Sequence, residues 1–156
     1  MNSVIRPNRT LLEESPEYFW ERFSQYAQTW PVSPEPLGSP LLEVLTTLGP
    51  LFAFDRSLVP FSGNETPLIF HGQVDRWEIA QNAASIQHLG GGRYQMTGQV
   101  EAVLDALFFV FQVQSLSGDA SLRLVFSAQN PPTPGSWVTV ELLPPLMVFR
   151  PDSYSR

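Results

Sequence analysis

The side chains able to do acid–base or metal chemistry are few. His71 and His88 are the only histidines and there is no cysteine, which removes thiolate nucleophiles, disulfides and Cys-based zinc or iron–sulfur sites. A metal site needs three or four converging ligands, and no H-x-H, H-E-x-x-H or D-x-D-x-D spacing occurs. The carboxylates Asp75, Glu78, Glu101 and Asp105 are more suggestive. Phe70-His71-Gly72-Gln73-Val74-Asp75 is echoed by Met96-Thr97-Gly98-Gln99-Val100-Glu101 at an offset of 26 residues. If the two segments were neighbouring strands, Asp75 and Glu101 would form a carboxylate pair of the kind that glycoside hydrolysis uses; solvated strand acids are the expectation instead. No G-x-S-x-G elbow is present. Leu89-Gly90-Gly91-Gly92-Arg93 lacks the lysine and helix start of a phosphate loop, so it reads as a hairpin connection. The expectation is a chain with no catalytic residue, no metal and no cofactor.

Stacking and docking are the other chemistries on offer. All nine basic residues are arginine. A face for single-stranded nucleic acid would use Arg76, Trp77, Arg93, Tyr94, Phe108, Arg123 and Phe126, with rings stacking on bases and guanidiniums following phosphates. Strand neighbours alternate, however, so Arg76 and Trp77 point to opposite faces, as do Arg93 and Tyr94. The balance of 15 acids to nine bases, net charge −6, also argues against a generic nucleic-acid binder. Apolar docking would instead use Phe19, Phe23 and Trp30 on an aromatic helix, together with Trp137 if it is exposed. The favoured reading of that helix is core covering one end or face of the barrel, since exposing its rings together would invite aggregation.

Those residues need elements to position them. Ser15-Pro16-Glu17 combines an N-cap, a first-position proline and an acid in the first turn. Phe19, Trp20, Phe23, Tyr26, Ala27 and Trp30 then recur at helical spacing, which predicts a helix over 16–29 ended by Pro31. Residues 31–40 form a proline-rich spacer. Ser39-Pro40 followed by Leu41, Leu42, Val44, Leu45 and Leu48, stopped by Gly49-Pro50, predicts a short buried helix. Residues 51–66 look irregular. From Pro67 the period changes to two. Strands are expected at 68–79, 84–89, 93–104, 106–116, 121–128, 136–143 and 145–150. The segment 100–111 is compatible with a buried helix, and the aromatic and β-branched run Phe108 to Val113 favours strand. In the strand 136–143, Val138, Val140 and Leu142 share one face, and Trp137, Thr139 and Glu141 share the other.

Residues 93–149 resemble an OB-fold, the small five-stranded barrel. The resemblance rests on the glycine and valine of "TGQVEAV" (97–103) and the hairpin "LFFVFQVQSLSGDASLRLVFS" (107–127). It also rests on the glycine-led strand "PGSWVTVEL" (134–142) and a last strand "LMVF" (146–149). The helix usual between the third and fourth strands is replaced here by "AQNPPTPG", which cannot be helical. The resemblance implies a barrel whose middle strands bind oligonucleotides, oligosaccharides or proteins.

Low charge and many aromatics fit either a surface covered by a partner or a second copy, or a well-packed β protein whose exposed faces carry Gln, Ser and Thr. No signal-peptide run and no stretch of about 18 apolar residues is present, which predicts a soluble, cytoplasmic chain without a membrane partner. The expected architecture is mainly β: an antiparallel, OB-like small β-barrel at 67–150. It is preceded by an arm at 1–14 and a helical, proline-rich extension at 15–66, and followed by a tail at 151–156. The expected function is non-catalytic: a protein–protein interaction or assembly module that binds a protein partner or itself. The alternative is single-stranded nucleic-acid binding.

Overall fold

The period-two alternation becomes strand nearly everywhere it occurs. The computed structural model describes residues 15–34, 39–57, 59–81, 83–115, 117–118 and 121–151. The expected arm and most of the expected tail lie outside these residues. The elements are α1 Pro16–Phe23, β1 Gln28–Pro34, β2 Leu41–Thr46, β3 Gly49–Asp55, β4 Glu65–Ile79 and β5 Ser85–Gly90. They continue with β6 Arg93–Val103, β7 Phe108–Gln114, β8 Ser121–Ser127 and β9 Trp137–Phe149. The fold is mainly β. The segment 100–111 divides between β6, a turn and β7.

Two helical expectations are corrected. The first helix begins as its cap predicts, with Ser15 Oγ accepting from the Tyr18 amide at 3.3 Å, but it ends at Phe23 rather than 29. Ser24–Tyr26 tighten into a 3₁₀ turn, and the chain then goes extended as β1. Tertiary pairing overrides the periodicity here. Gln28 is held against the β8 backbone, its Oε1 accepting from the Arg123 amide at 2.8 Å and its Nε2 donating to Ser121 O at 3.0 Å. Trp30 therefore belongs to a strand, opposite Thr66.

The second expected helix does not exist. Residues 41–46 and 49–55 form the β2–β3 hairpin, which takes 51–55 out of the irregular stretch expected at 51–66, and Glu65 and Thr66 already belong to β4. Ser39 Oγ accepts from the Leu41 amide at 2.9 Å, a two-residue turn rather than an N-cap. At the tip, Thr46 Oγ1 accepts from the Leu48 amide and donates to Gly49 O. Gly49 takes φ 109°, a left-handed value that a side chain disfavours.

All nine strands belong to one sheet of mixed direction, so the all-antiparallel expectation is corrected too. Two closed circuits share the antiparallel β4–β9 ribbon. One runs β4–β8–β7–β6–β9, with β4 and β8 parallel. The other runs β1–β2–β3–β9–β4, with β3 and β9 parallel. The segments 136–143 and 145–150, expected as two strands, are continuous as β9. The Pro144–Pro145 peptide is cis, and the prolines occupy the bulge where β9 changes partners. A residue without an N–H is tolerated there because the ladder is already interrupted.

One apolar core fills both circuits. Leu42, Val44, Leu51 and Ala53 from the β2–β3 hairpin join Phe70, Met96, Phe109, Phe111, Leu124, Phe126, Val138, Val140 and Leu142. A second cluster lies outside the first circuit, where α1 lays Phe19 and Phe23 over Ile69, Phe108, Val125 and Phe149. Phe19 stacks on Phe149 at 4.0 Å between centroids. Burying each phenylalanine is worth about 2–3 kcal/mol. Arg22 clamps the helix by an ion pair with Asp105 at 2.6 Å.

Candidate functional site

The β2–β3 hairpin has apolar residues on both faces. Its inner face supplies the core, and its outer face carries Leu41, Glu43 and Leu45 beside Pro50, Phe52 and Phe54. The register sets Leu41 against Phe54, Glu43 against Phe52 and Leu45 against Pro50. Leu41, Leu45, Phe52 and Phe54 keep between 38% and 49% of their surface exposed. Together they present about 300 Å² of apolar surface, the size of the largest such patch on a typical folded monomer, which is often functional.

The surroundings fix this face in place. Phe54 lies next to Met147 across the parallel β3–β9 joint. Arg56 continues the same side of the sheet, with its guanidinium 3.5 Å from Met147 Sδ and 5.6 Å from the Phe149 ring. Beneath the end of β3, Asp55 and Arg150 form a buried ion pair at 2.9 Å. Arg150 also donates to Val59 O and stands 5.3 Å over the Phe61 ring, which ties Val59 and Phe61 to the end of β9. On the inner side, Tyr94 reaches under the hairpin and its hydroxyl accepts from the Phe52 amide at 2.9 Å. Burial pushes the Tyr94 phenol up, and that amide contact offsets part of the effect.

The residues singled out from the sequence are scattered. Phe19 and Phe23 are buried beneath α1, Trp30 is half-buried against the main core, and Trp137 is half-buried on β9 opposite Gln99. Val138, Val140 and Leu142 are inward, which places Trp137 on the outer face. Of the arginine–aromatic set, Tyr94, Phe108 and Phe126 are in the cores. Arg123 pairs with Glu101 at 3.0 Å, Arg76 with Glu141 at 3.2 Å, and Arg93 with Glu141 at 3.5 Å and Asp75 at 3.9 Å. Trp77 is half-buried, its indole donating to Asn130 O at 2.8 Å.

Two open grooves flank Arg76 and Trp77. One, of about 250 Å³, includes Gln95 and Thr139, and the other, of about 470 Å³, includes Ser127 and Asn130. Of the acids bordering this region, Asp75 and Glu141 are engaged by arginines. Asp75 and Glu101 do not come together: β4 and β6 both flank β9 rather than each other. His71 is buried under α1 with Nδ1 2.9 Å from Val125 O, and His88 stacks on Tyr94. Among the described residues there is no group of three or more His, Cys, Asp or Glu placed to hold a metal. Nor is any helix among them long and apolar enough to cross a membrane.

Leu41, Leu45, Phe52 and Phe54 were not among the residues the sequence picked out. The available signal was the period of two in P-L-F-A-F-D, residues 50–55, which puts Phe52 and Phe54 on the side opposite Leu51 and Ala53. No protein-family model, curated protein or solved structure matches this chain significantly.

Proposed function

We propose that this chain is a non-catalytic protein–protein interaction module that docks an apolar partner surface on the outer face of β2–β3. The observation that carries the reading is the joint exposure of Leu41, Leu45, Phe52 and Phe54 on one face. Their backbones are held by core residues on the other side, so the surface is rigid and binding it requires little ordering. Nucleic-acid binding has less to recommend it, because three of the four rings that would stack bases, Tyr94, Phe108 and Phe126, are interior and the arginines that would meet phosphates face carboxylates. We also read the circuit β4–β8–β7–β6–β9 as a small OB-like barrel. Four of its strands are the segments that suggested the resemblance, and the fifth place is taken by β4 instead of 146–149.

Site-specific photo-crosslinking in cells tests the proposal. A crosslinking amino acid at Leu45 is expected to give protein adducts that disappear when Phe54→Glu is added. The same probe at Gln87, on exposed β5, is expected to give none. Absent adducts at Leu45, or equal yields at Gln87, would overturn the interaction reading.

A further inference from the structure

We infer that the occupant of the β2–β3 face is a second copy of the chain, related by a two-fold axis over the Leu41–Phe54 row. The inference rests on the interaction reading above and names its partner. Its basis is the arrangement of charge along the face. The rows run Leu45–Pro50, Glu43–Phe52, Leu41–Phe54 and then Arg56. Glu43 and Arg56 are each half-buried, and neither has an ion-pair partner among the described residues. This sets Arg56 apart from Arg22, Arg76, Arg93, Arg123 and Arg150, every one of which faces a carboxylate, whereas Glu43 shares its lack of an ion pair with Glu17, Glu21, Glu65 and Glu78.

The acid row and the arginine are four residues apart along β3, about 13 Å, with the Leu41–Phe54 row midway between them. A two-fold axis lying between two such faces, perpendicular to the strands and over that middle row, exchanges the two ends. It brings Glu43 of each copy level with Arg56 of the other, about one strand spacing (~4.8 Å) to the side and within reach of its long side chain, and stacks Phe54 and Leu41 against their counterparts. The contact is self-complementary in charge and in apolar surface, as a closed two-fold interface requires. A partner lacking a matching cation would leave Glu43 desolvated and unpaired, which disfavours it.

The size of the face sets the expected strength. About 300 Å² of apolar surface, widened by Pro50 and Met147, is well below the roughly 800 Å² that each partner gives to a stable interface. The dimer is therefore a reversible one, with a Kd in the range of about 10–1,000 μM.

Sedimentation equilibrium of the full chain from about 5 μM to 1 mM tests this directly. The wild type is expected to move from monomer towards dimer over that range. Glu43→Arg and Arg56→Glu are each expected to weaken association at least about tenfold by facing like charges. The double swap is expected to restore it to within about threefold of wild type. Circular dichroism and thermal unfolding of each variant establish that the fold is kept. A wild type monomeric throughout, or single swaps without effect, or a double swap that fails to rescue, overturns the inference. If the chain is monomeric while the Leu45 probe still captures another protein, the second copy is excluded and the interaction reading stands. If both experiments fail, both readings fall.

Discussion

Replacing Asp55 by alanine removes one half of the buried ion pair that ties β3 to the end of β9. The Asp55 and Arg150 side chains are 4% and 7% exposed, so the guanidinium left behind has little access to water. Breaking a buried pair by deleting one partner costs about 3–5 kcal/mol. The lower end is expected here, because Arg150 keeps its contact with Val59 O and its place over the Phe61 ring. The substitution also removes the carboxylate oxygen that accepts from the Ser57 amide at 3.1 Å. For a chain of this length about 3 kcal/mol corresponds to a fall in Tm of roughly 6–12 °C. Urea unfolding at neutral pH, followed by tryptophan fluorescence, reads the loss as a lower midpoint at unchanged slope. A cycle with Arg150→Met sharpens the argument. The double variant carries no stranded charge, so it is expected to be less destabilised than the two single losses summed, by at least about 1 kcal/mol. An Asp55→Ala protein within about 1 kcal/mol of wild type, or a strictly additive cycle, would refute the view that this pair fixes the edge of the docking face.

Two further outcomes follow from local geometry. Gly98→Ala is expected to destabilise by about 2–3 kcal/mol or to prevent folding, because its Cβ would lie 2.3 Å from the backbone oxygen of Gln112; Gly72→Ala, whose Cβ meets only side chains, the nearest at 3.0 Å, should lose less in the same denaturant titration. At Asp105, burial raises the carboxyl, but the Leu107 and Phe108 amides and Arg22 together outweigh it and hold the group below its ordinary 3.8. Its stabilising effect is therefore present above the ordinary value and disappears as pH falls through the depressed one; the stability advantage of wild type over Asp105→Asn should be full at about pH 6 and shrink as the pH is taken below 3.8, and a difference that stays constant throughout the acid titration would contradict the assignment.

Strands such as β6 and the first half of β9 were legible because one face is core and the other polar. A period of two says so without reference to any partner. Strand β7, buried on both faces, was legible by its aromatic and β-branched run. The Gly90–Gly92 turn, the inward Val138, Val140 and Leu142, and the Ser15 cap were legible for similarly local reasons. What local reasoning missed depends on distant pairing. Helix α1 stops at Phe23 because Gln28 meets β8, 93 residues or more along the chain, and no spacing within 16–29 records that. Nor does any local pattern show that β4 runs parallel to β8, or that β9 passes its double proline by exchanging β6 for β3.

The docking face was hidden by a different ambiguity. Leu41-Leu42-Glu43-Val44-Leu45 has as many apolar residues as a buried helix needs, and a rule that sends apolar residues inward places all of them in a core. As a strand, the same five residues must divide, Leu42 and Val44 inward and Leu41, Glu43 and Leu45 outward. The hairpin partner divides the same way, which forces Phe52 and Phe54 into the open beside them. The exposure is thus a consequence of strand geometry acting on a segment apolar on both faces. Glu43 and Arg56 carry no meaning in the sequence, where they stand 13 residues apart among 24 charges. Only the register of β2 against β3 sets them about equally far from Leu41–Phe54 on opposite sides. That symmetry, unreadable before the fold is known, is what makes a second copy of the chain the partner whose charges this face matches.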